Sequence, residues 1–293
     1  MATPLTASAL LAALRAEGVK CVEYGSWRTH NRAGHGAWDP INGVMIHHTV
    51  SSGTDASVRL CYDGYADLPG PLCHGVIAKD GTVYLISAGR ANHAGGGDGQ
   101  VLNAVISERS LPSTNAHEGS AGAVDGNARF YGFECINLGN GADPWPDAQL
   151  DAIERVSAAI CRAYGWSAES VIGHKEWSDW KSDPRGFSMT TMRSRIVRRL
   201  ATKPGKTPPP KFEPFPGVDF FKRYPRDPIV TAMGTRLVAE GCSAYKSGPS
   251  PQFTAADITS YAKWQRKQGY TGKDADGWPG RKSWDALKVP KTT

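Results

Sequence analysis

Three places among the eight histidines of this chain could do chemistry. His47-His48 close the apolar run Val44-Met45-Ile46, His174 follows Val171-Ile172-Gly173, and His74 and His93 flank a hairpin. A histidine at a strand end has a rigid backbone and a polar tip that can face a cleft. Two such imidazoles and one carboxylate, with one coordination position left open, form the donor set of a catalytic zinc. Asp183 is the natural third ligand, nine residues past His174 in a polar loop stopped by Pro184. Taken singly, each histidine also fits a plainer reading, an ordinary hydrogen-bonded side chain at a strand end.

Other catalytic templates fit poorly. The chain has no G-x-S-x-G elbow, no H-E-x-x-H and no glycine loop able to cradle phosphate. Cys73 beside His74 raises a thiol hydrolase. Neighbours on a strand point to opposite faces, however, so another histidine would have to serve as base. Asp274-x-Asp276-Gly277 starts like a calcium loop but lacks the remaining ligands and reads as a turn. The six cysteines contain no CxxC pair and are too sparse for a disulfide scaffold. Cys135 and Cys161 sit in apolar runs and read as core, while Cys61 and Cys73 lie in a Gly/Pro-rich region and could pair.

The elements that must position these groups alternate along the first 200 residues. Val44–His47 reads as a short strand, and residues 76–86 as a hairpin around Lys79-Asp80-Gly81. Phe130–Ile136 reads as another strand and Val171-Ile172 as the last. Leu150, Ile153, Val156, Ile160 and Tyr164 recur at helical spacing over Asp147–Tyr164, which Gly165 stops. Ser188–Leu200 reads as a basic amphipathic helix. This order predicts an α/β fold, a mixed central β-sheet flanked by helices. Residues 201–217 hold six prolines and read as a semi-rigid linker. Residues 218–293 carry helical patterns over Pro228–Glu240 and Thr254–Gln268 and a last short helix with Trp284 and Leu287, a small all-α module. The expected organisation is therefore 1–200, linker 201–217, and 218–293.

With 293 residues, 40% hydrophobic and 21% charged, the composition is globular. No stretch approaches 18 uninterrupted apolar residues, so no membrane insertion is expected. The first 20 residues lack an early Lys or Arg and a cleavage site, and read as an amphipathic helix rather than a signal peptide. The expectation is a protein that stays in the cytoplasm where it is made until a route outside its own sequence releases it. The net charge of +6 is uneven: −7 over residues 1–180, +8 over 181–211 and +5 over 212–293. That suits an anionic partner for the back half, nucleic acid or a cell-wall polymer, and equally a solvated face.

Five stretches occur in order: VMIHHT (44–49), HGVIAKDGTVY (74–84), GRANHAG (89–95), YGFECIN (131–137) and GHKEWSDWKSDP (173–184). Together they resemble the zinc-dependent N-acetylmuramoyl-L-alanine amidases related to the peptidoglycan recognition proteins. The tail, with YAKWQRKQGY, GKDADGWPG and SWDALKVP, is similar to peptidoglycan-binding modules of endolysins from phages of actinobacteria. The resemblance implies a Zn2+ enzyme that cuts the amide between N-acetylmuramic acid and L-alanine. It implies His47, His174 and Asp183 as metal ligands, Glu134 and Lys181 as catalytic groups, and His74, Asn92 and His93 at the substrate. The implied partner is bacterial peptidoglycan, with anionic wall polymers as a possible attraction for Arg193, Arg195, Arg198 and Arg199, and no nucleic acid. The implied location is the host cytoplasm until release, then the bacterial cell wall. Some relatives carry a catalytic Tyr where this chain has Cys73, which puts the proton-handling role on Glu134. The resemblance leaves two alternatives, a recognition protein that does not cut and a Cys73-dependent thiol hydrolase.

Overall fold

The computed structural model describes residues 2–202, 204 and 212–292. The chain divides into two compact units, Met1–Gly205 and Lys206–Thr293. Residues 203 and 205–211 of the proline-rich stretch 201–217 lie outside the described residues.

In the first unit the elements run α1 (Ala7–Ala16), β1 (Cys21–Glu23), β2 (Gly43–His48), α2 (Thr54–Asp63), β3 (Gly75–Ile77), β4 (Val83–Leu85), β5 (Gly96–Gly97), α3 (Gly99–Ile106), β6 (Val124–Asp125), β7 (Phe130–Cys135), α4 (Asp147–Tyr164), β8 (Val171–Gly173), α5 (His174–Trp177) and α6 (Met189–Leu200). Six strands form one sheet in the order β1-β4-β3-β7-β2-β8. Among the described residues its only antiparallel pair is the hairpin β3–β4, which makes the sheet mixed. Strands β2 and β7 are neighbours in its interior and are almost wholly buried. A strand covered on both faces reads as a continuous apolar run, which is why Val44-Met45-Ile46 shows no alternation.

The period-two geometry of β2 then sorts its side chains. Val44 and Ile46 enter the larger core with Ile153, Val156 and Ile160 of α4 and Ile196 of α6. Met45 faces the other way, against Val101 of α3, Phe130, Ile172 and Trp177. His47 continues the Met45 side and His48 the Ile46 side. Helix α4 ends where the sequence predicts: Gly165 takes φ +71°, and its N–H bonds the carbonyls of Cys161 and Arg162. Helix α6 starts at the cap Ser188, whose Oγ accepts from Thr191 N at 3.3 Å.

The basic face of α6 is largely neutralised within the unit. Arg199 Nε and Arg195 Nε donate to Glu154 of α4 at 2.6 and 2.8 Å, and Arg193 bonds Glu176 at 2.8 and 2.9 Å. The expected attraction of these arginines to wall polymers therefore loses three of its four members, since their charge is taken up by carboxylates at home. Arg198 is exposed.

The second unit, among its described residues, is built of α7 (Val218–Lys222), α8 (Pro228–Ala239), α9 (Ala255–Lys267) and α10 (Arg281–Leu287). Its core gathers Phe221, Met233, Leu237, Tyr261, Trp264 and Trp284. The buried indoles are satisfied: Trp264 Nε1 donates to the Ser283 carbonyl and Trp284 Nε1 to that of Glu213, both at 2.9 Å. No helix among the described residues is long and apolar enough to cross a membrane.

Candidate active site

The C-terminal ends of β2 and β8 lie side by side, Ile46 opposite Gly173, so the next residues, His47 and His174, leave neighbouring strands together. Asp183 is brought to them by its own backbone: the Lys175 N–H donates to the Asp183 carbonyl at 2.7 Å. Lys175 Nζ also bonds the Pro184 carbonyl at 2.7 Å, closing the loop after α5 onto that helix. The result is a triangle. His47 Nδ1 lies 3.0 Å from His174 Nδ1 and 3.1 Å from Asp183 Oδ2, and His174 Nδ1 lies 3.2 Å from the same oxygen.

The outer ring nitrogens decide what occupies those edges. His174 Nε2 faces the Ala94 carbonyl at 3.1 Å, and His93 Nε2 faces the Phe130 carbonyl at 3.0 Å. A carbonyl only accepts, so each of these nitrogens carries a proton. A neutral His93 then has a lone pair on Nδ1, and His47 Nε2 donates to it at 3.0 Å. Burial, reinforced by the neighbouring His174, depresses His47 to about 4, and burial pushes His93 well below the ordinary imidazole range. Both rings are neutral at pH 7. It follows that His47 Nδ1 turns a bare lone pair towards His174 Nδ1 and the Asp183 carboxylate oxygen. One metal-ligating atom from each of the three residues therefore converges within about 3 Å of the other two. Two imidazoles and a carboxylate fit a tetrahedral ion with ~2.0–2.2 Å bonds and an open fourth position. These three residues can hold a metal ion.

Glu134 stands beside His47 in the β2–β7 register, on the face that carries the site. Its Oε2 is buried without a hydrogen-bond partner among the described residues. Burial raises its carboxyl well above the ordinary value, and the nearby Cys61 and Asp183 add to the rise against the lowering pull of Lys181. Lys181 is exposed and borders two adjoining cavities. The smaller, about 350 Å³, contains His47, His174, Asp183 and Glu134. The larger, about 720 Å³, extends from His93 and His174 past the charged side chains of Arg90, Glu118 and Asp125.

The structure therefore brings together His47, His174, Asp183, Glu134, Lys181, Asn92 and His93, and leaves His74 out. His74 is fully buried, stacked on Trp38 with centroids 4.6 Å apart, and accepts from Gly132 N at 2.9 Å. Its expected place at the substrate is corrected to a packed position against Trp38 and Tyr131, where burial depresses it to about 3. His93 is corrected in kind. It borders both cavities, but its two ring nitrogens are already bonded to His47 and Phe130, so it offers a substrate no free polar atom. Cys73 is fully buried against Val58, Cys61, Val76 and Ile136, and burial raises its thiol well above the ordinary range. A buried protonated thiol outside the cleft is no nucleophile, which removes the thiol hydrolase. Cys61 and Cys73 are both free thiols.

Two positioning groups were missed by the sequence reading. Asn127 Oδ1 accepts from the backbone N–H of His93 and of Ala94, both at 2.8 Å, and so fixes the segment that supports both imidazoles. Gly132 is the other. A Cβ there would come 2.4 Å from His93 Nδ1, so only glycine leaves room for the ring that orients His47.

The N-acetylmuramoyl-L-alanine amidase family model matches residues 37–186. No curated protein matches the chain. Among solved structures, the chain is similar to the N-acetylmuramoyl-L-alanine amidase LysC from Clostridium intestinale URNW, at 17% identity over 60% of this chain and 97% of that one, with a TM-score of 0.36. The catalytic domain of XlyA is 15% identical over 61% of this chain and 99% of that one, with a TM-score of 0.40. A mutant of Drosophila PGRP-LB in complex with tracheal cytotoxin is likewise 15% identical over 61% and 96%, with a TM-score of 0.39. The family match runs through just over half of the chain and takes in His47, Glu134, His174 and Asp183, so the chain belongs to the N-acetylmuramoyl-L-alanine amidase family.

Proposed function

We propose that this amidase is a zinc-dependent peptidoglycan hydrolase of the endolysin kind. It cleaves the amide between the lactyl group of N-acetylmuramic acid and the L-alanine of the stem peptide. The observation that carries the reading is the triangle of ligating atoms formed by His47, His174 and Asp183. A zinc ion held by them would polarise the scissile carbonyl and lower the pKa of a water to about 7.

The rest is work for the chain's own side chains. Glu134, its carboxyl raised by burial, takes the proton from the attacking water and returns it to the departing alanyl nitrogen. Such proton handling contributes on the order of 10²–10⁴-fold. Lys181 sets a cation at the mouth of the cleft, where charge develops on the carbonyl oxygen; donors so placed are worth roughly 3–4 kcal/mol. Asn92 borders both cavities and gives the substrate a hydrogen-bonding amide. The helical unit in 218–293 holds the enzyme on the wall and raises the local substrate concentration.

The test is mass spectrometry of the fragments released from purified peptidoglycan, with and without a zinc chelator. Free stem peptides with a new N-terminal alanine, lost on chelation and restored by zinc, are the expected result. Intact glycopeptides on a wall that still binds the protein would leave a recognition protein instead.

A further inference from the structure

Four of the large apolar side chains exposed on this protein, Val50, Tyr65, Leu68 and Trp180, border the smaller cavity beside the metal ligands. Trp180 is the most telling of them. It is 69% exposed, yet its ring is not loose: His117 stacks flat on it, with centroids 3.6 Å apart and planes 13° apart. His117 is itself held, its Nδ1 2.8 Å from Asp179 Oδ1 and its backbone N–H on Ser120 Oγ at 3.0 Å. The Asp179 N–H donates to the Ala116 carbonyl at 3.1 Å, which ties the two loops together. One face of the indole is thus backed by an imidazole, and the solvent exposure falls on what remains. A wide apolar ring fixed in place at a cleft mouth is already ordered, so a ligand stacking on it loses little further freedom in the protein.

The two cavities also differ in what they can bind. The larger is lined by Arg90, Glu118 and Asp125, charged groups suited to the carboxylates and amines of a peptide. Trp180 and Leu68 border both cavities; on the smaller one they meet Val50, Tyr65 and the uncharged polar side chains of Thr49, Asn92 and Ser182, beside Glu134, Asp183 and Lys181. An N-acetylated hexopyranose whose only carboxyl is tied up in an amide is uncharged. It offers a flat C–H face to an aromatic ring and hydroxyls to neutral polar groups. We infer that Trp180, backed by His117, is the stacking platform for the muramoyl pyranose, and that the rim around it is the sugar side of the cleft. This inference rests on the amidase reading above and adds which side chain selects for the sugar.

The test compares full-length wild type, Trp180→Ala, Trp180→Phe and His117→Ala on two substrates. One is N-acetylmuramoyl-L-alanyl-D-isoglutamine. The other is (R)-2-methoxypropanoyl-L-alanyl-D-isoglutamine, which keeps the scissile amide and lacks the pyranose. Trp180→Ala is expected to raise KM for the sugar substrate about tenfold, the scale of one aromatic stacking contact, with kcat within about twofold. Trp180→Phe retains most of the affinity, and His117→Ala shifts KM in the same direction by less. The preference for the sugar substrate over the sugar-free one should collapse in Trp180→Ala. Equal losses on both substrates, or no loss on either, overturn the platform. Wild type that cleaves neither substrate overturns the amidase reading alone. The platform is then read by titrating wild type and Trp180→Phe with N-acetylmuramic acid and following tryptophan emission. A saturable change confined to wild type supports it, and identical titrations overturn it.

Discussion

His47 donates its Nε2 proton to His93 Nδ1 at 3.0 Å, and that one bond decides which nitrogen of His47 faces the metal position. The direction of the bond is set further out, by the Phe130 carbonyl that fixes the proton on His93 Nε2. Partners of this kind are worth roughly 10–100-fold in metal affinity. His93→Phe keeps the ring's bulk and removes its acceptor. The expected result is a fall of about that size in zinc affinity, measured by chelator competition, with far-ultraviolet circular dichroism unchanged. An affinity equal to wild type would show that His47 selects its tautomer without help.

Gly132 acts one step further back. A methyl group there would meet the His93 ring at a distance no packed pair of atoms keeps. Gly132→Ala must displace either the ring or the central strand, an overpacking cost of roughly 1–3 kcal/mol. Its thermal midpoint should drop, and zinc affinity should drop with it, because the displaced ring is the one that orients His47. A lowered midpoint with unaltered zinc affinity would mean that the strand gives way and the relay does not.

The two histidines of the candidate metal site were legible because their positions follow from local pattern. An apolar run ending in histidine places an imidazole at a strand end, and two such runs, at 44–47 and 171–174, are easily seen. Helix α4 was legible from its spacing and its stop at Gly165 for the same reason. The roles of His93 and His74 were not, because each depends on a backbone group far away in sequence. His93 answers to the Phe130 carbonyl, and His74 is buried by Trp38 and the Gly132 N–H. The charge of α6 misled in a similar way, since the partner of Arg195 and Arg199 is Glu154, more than 40 residues earlier. A glycine in the middle of the apolar strand Phe130–Cys135 was the one available sign of a close approach.

Glu134 should trade stability for function. Its folded carboxyl titrates well above its ordinary value of 4.5, with burial as the main cause. Below pH ~4.5 the group is protonated in both states and costs nothing. Above it the unfolded chain ionises and the folded one does not, so the folded state loses stability as pH rises towards the folded pKa. The metal-free Glu134→Gln protein should therefore melt higher than metal-free wild type at pH 7, and the difference should vanish near pH 4. With zinc restored, its kcat should fall by about 10²–10⁴-fold while metal content stays the same. A variant that melts alike at both pH values, or keeps its turnover, would remove Glu134 from the proton-handling role.

The buried imidazoles set the opposite pH limit. Burial holds His47 at about 4 and His74 at about 3, both below the ordinary 6.5. Above pH 6.5 these rings are neutral in the folded and the unfolded chain, and their contribution is fully present. As pH falls below 6.5 the unfolded chain takes up protons that the folded one refuses, and stability drains away until the folded values are passed. Each group is worth a few kcal/mol over that window, since a tenfold difference in proton affinity between the two states is about 1.4 kcal/mol. In the metal-free Glu134→Gln protein, where the opposing carboxyl is gone, thermal midpoints should be nearly level from pH 8 to 6.5 and then fall steeply towards pH 4. Saturating zinc stabilises the folded state by mass action and should lift the midpoint most near neutral pH, because protons compete for His47 in acid. If that protein were as stable at pH 4.5 as at pH 7, His47 could not be the neutral, buried ring on which the assignment of the site's protons depends.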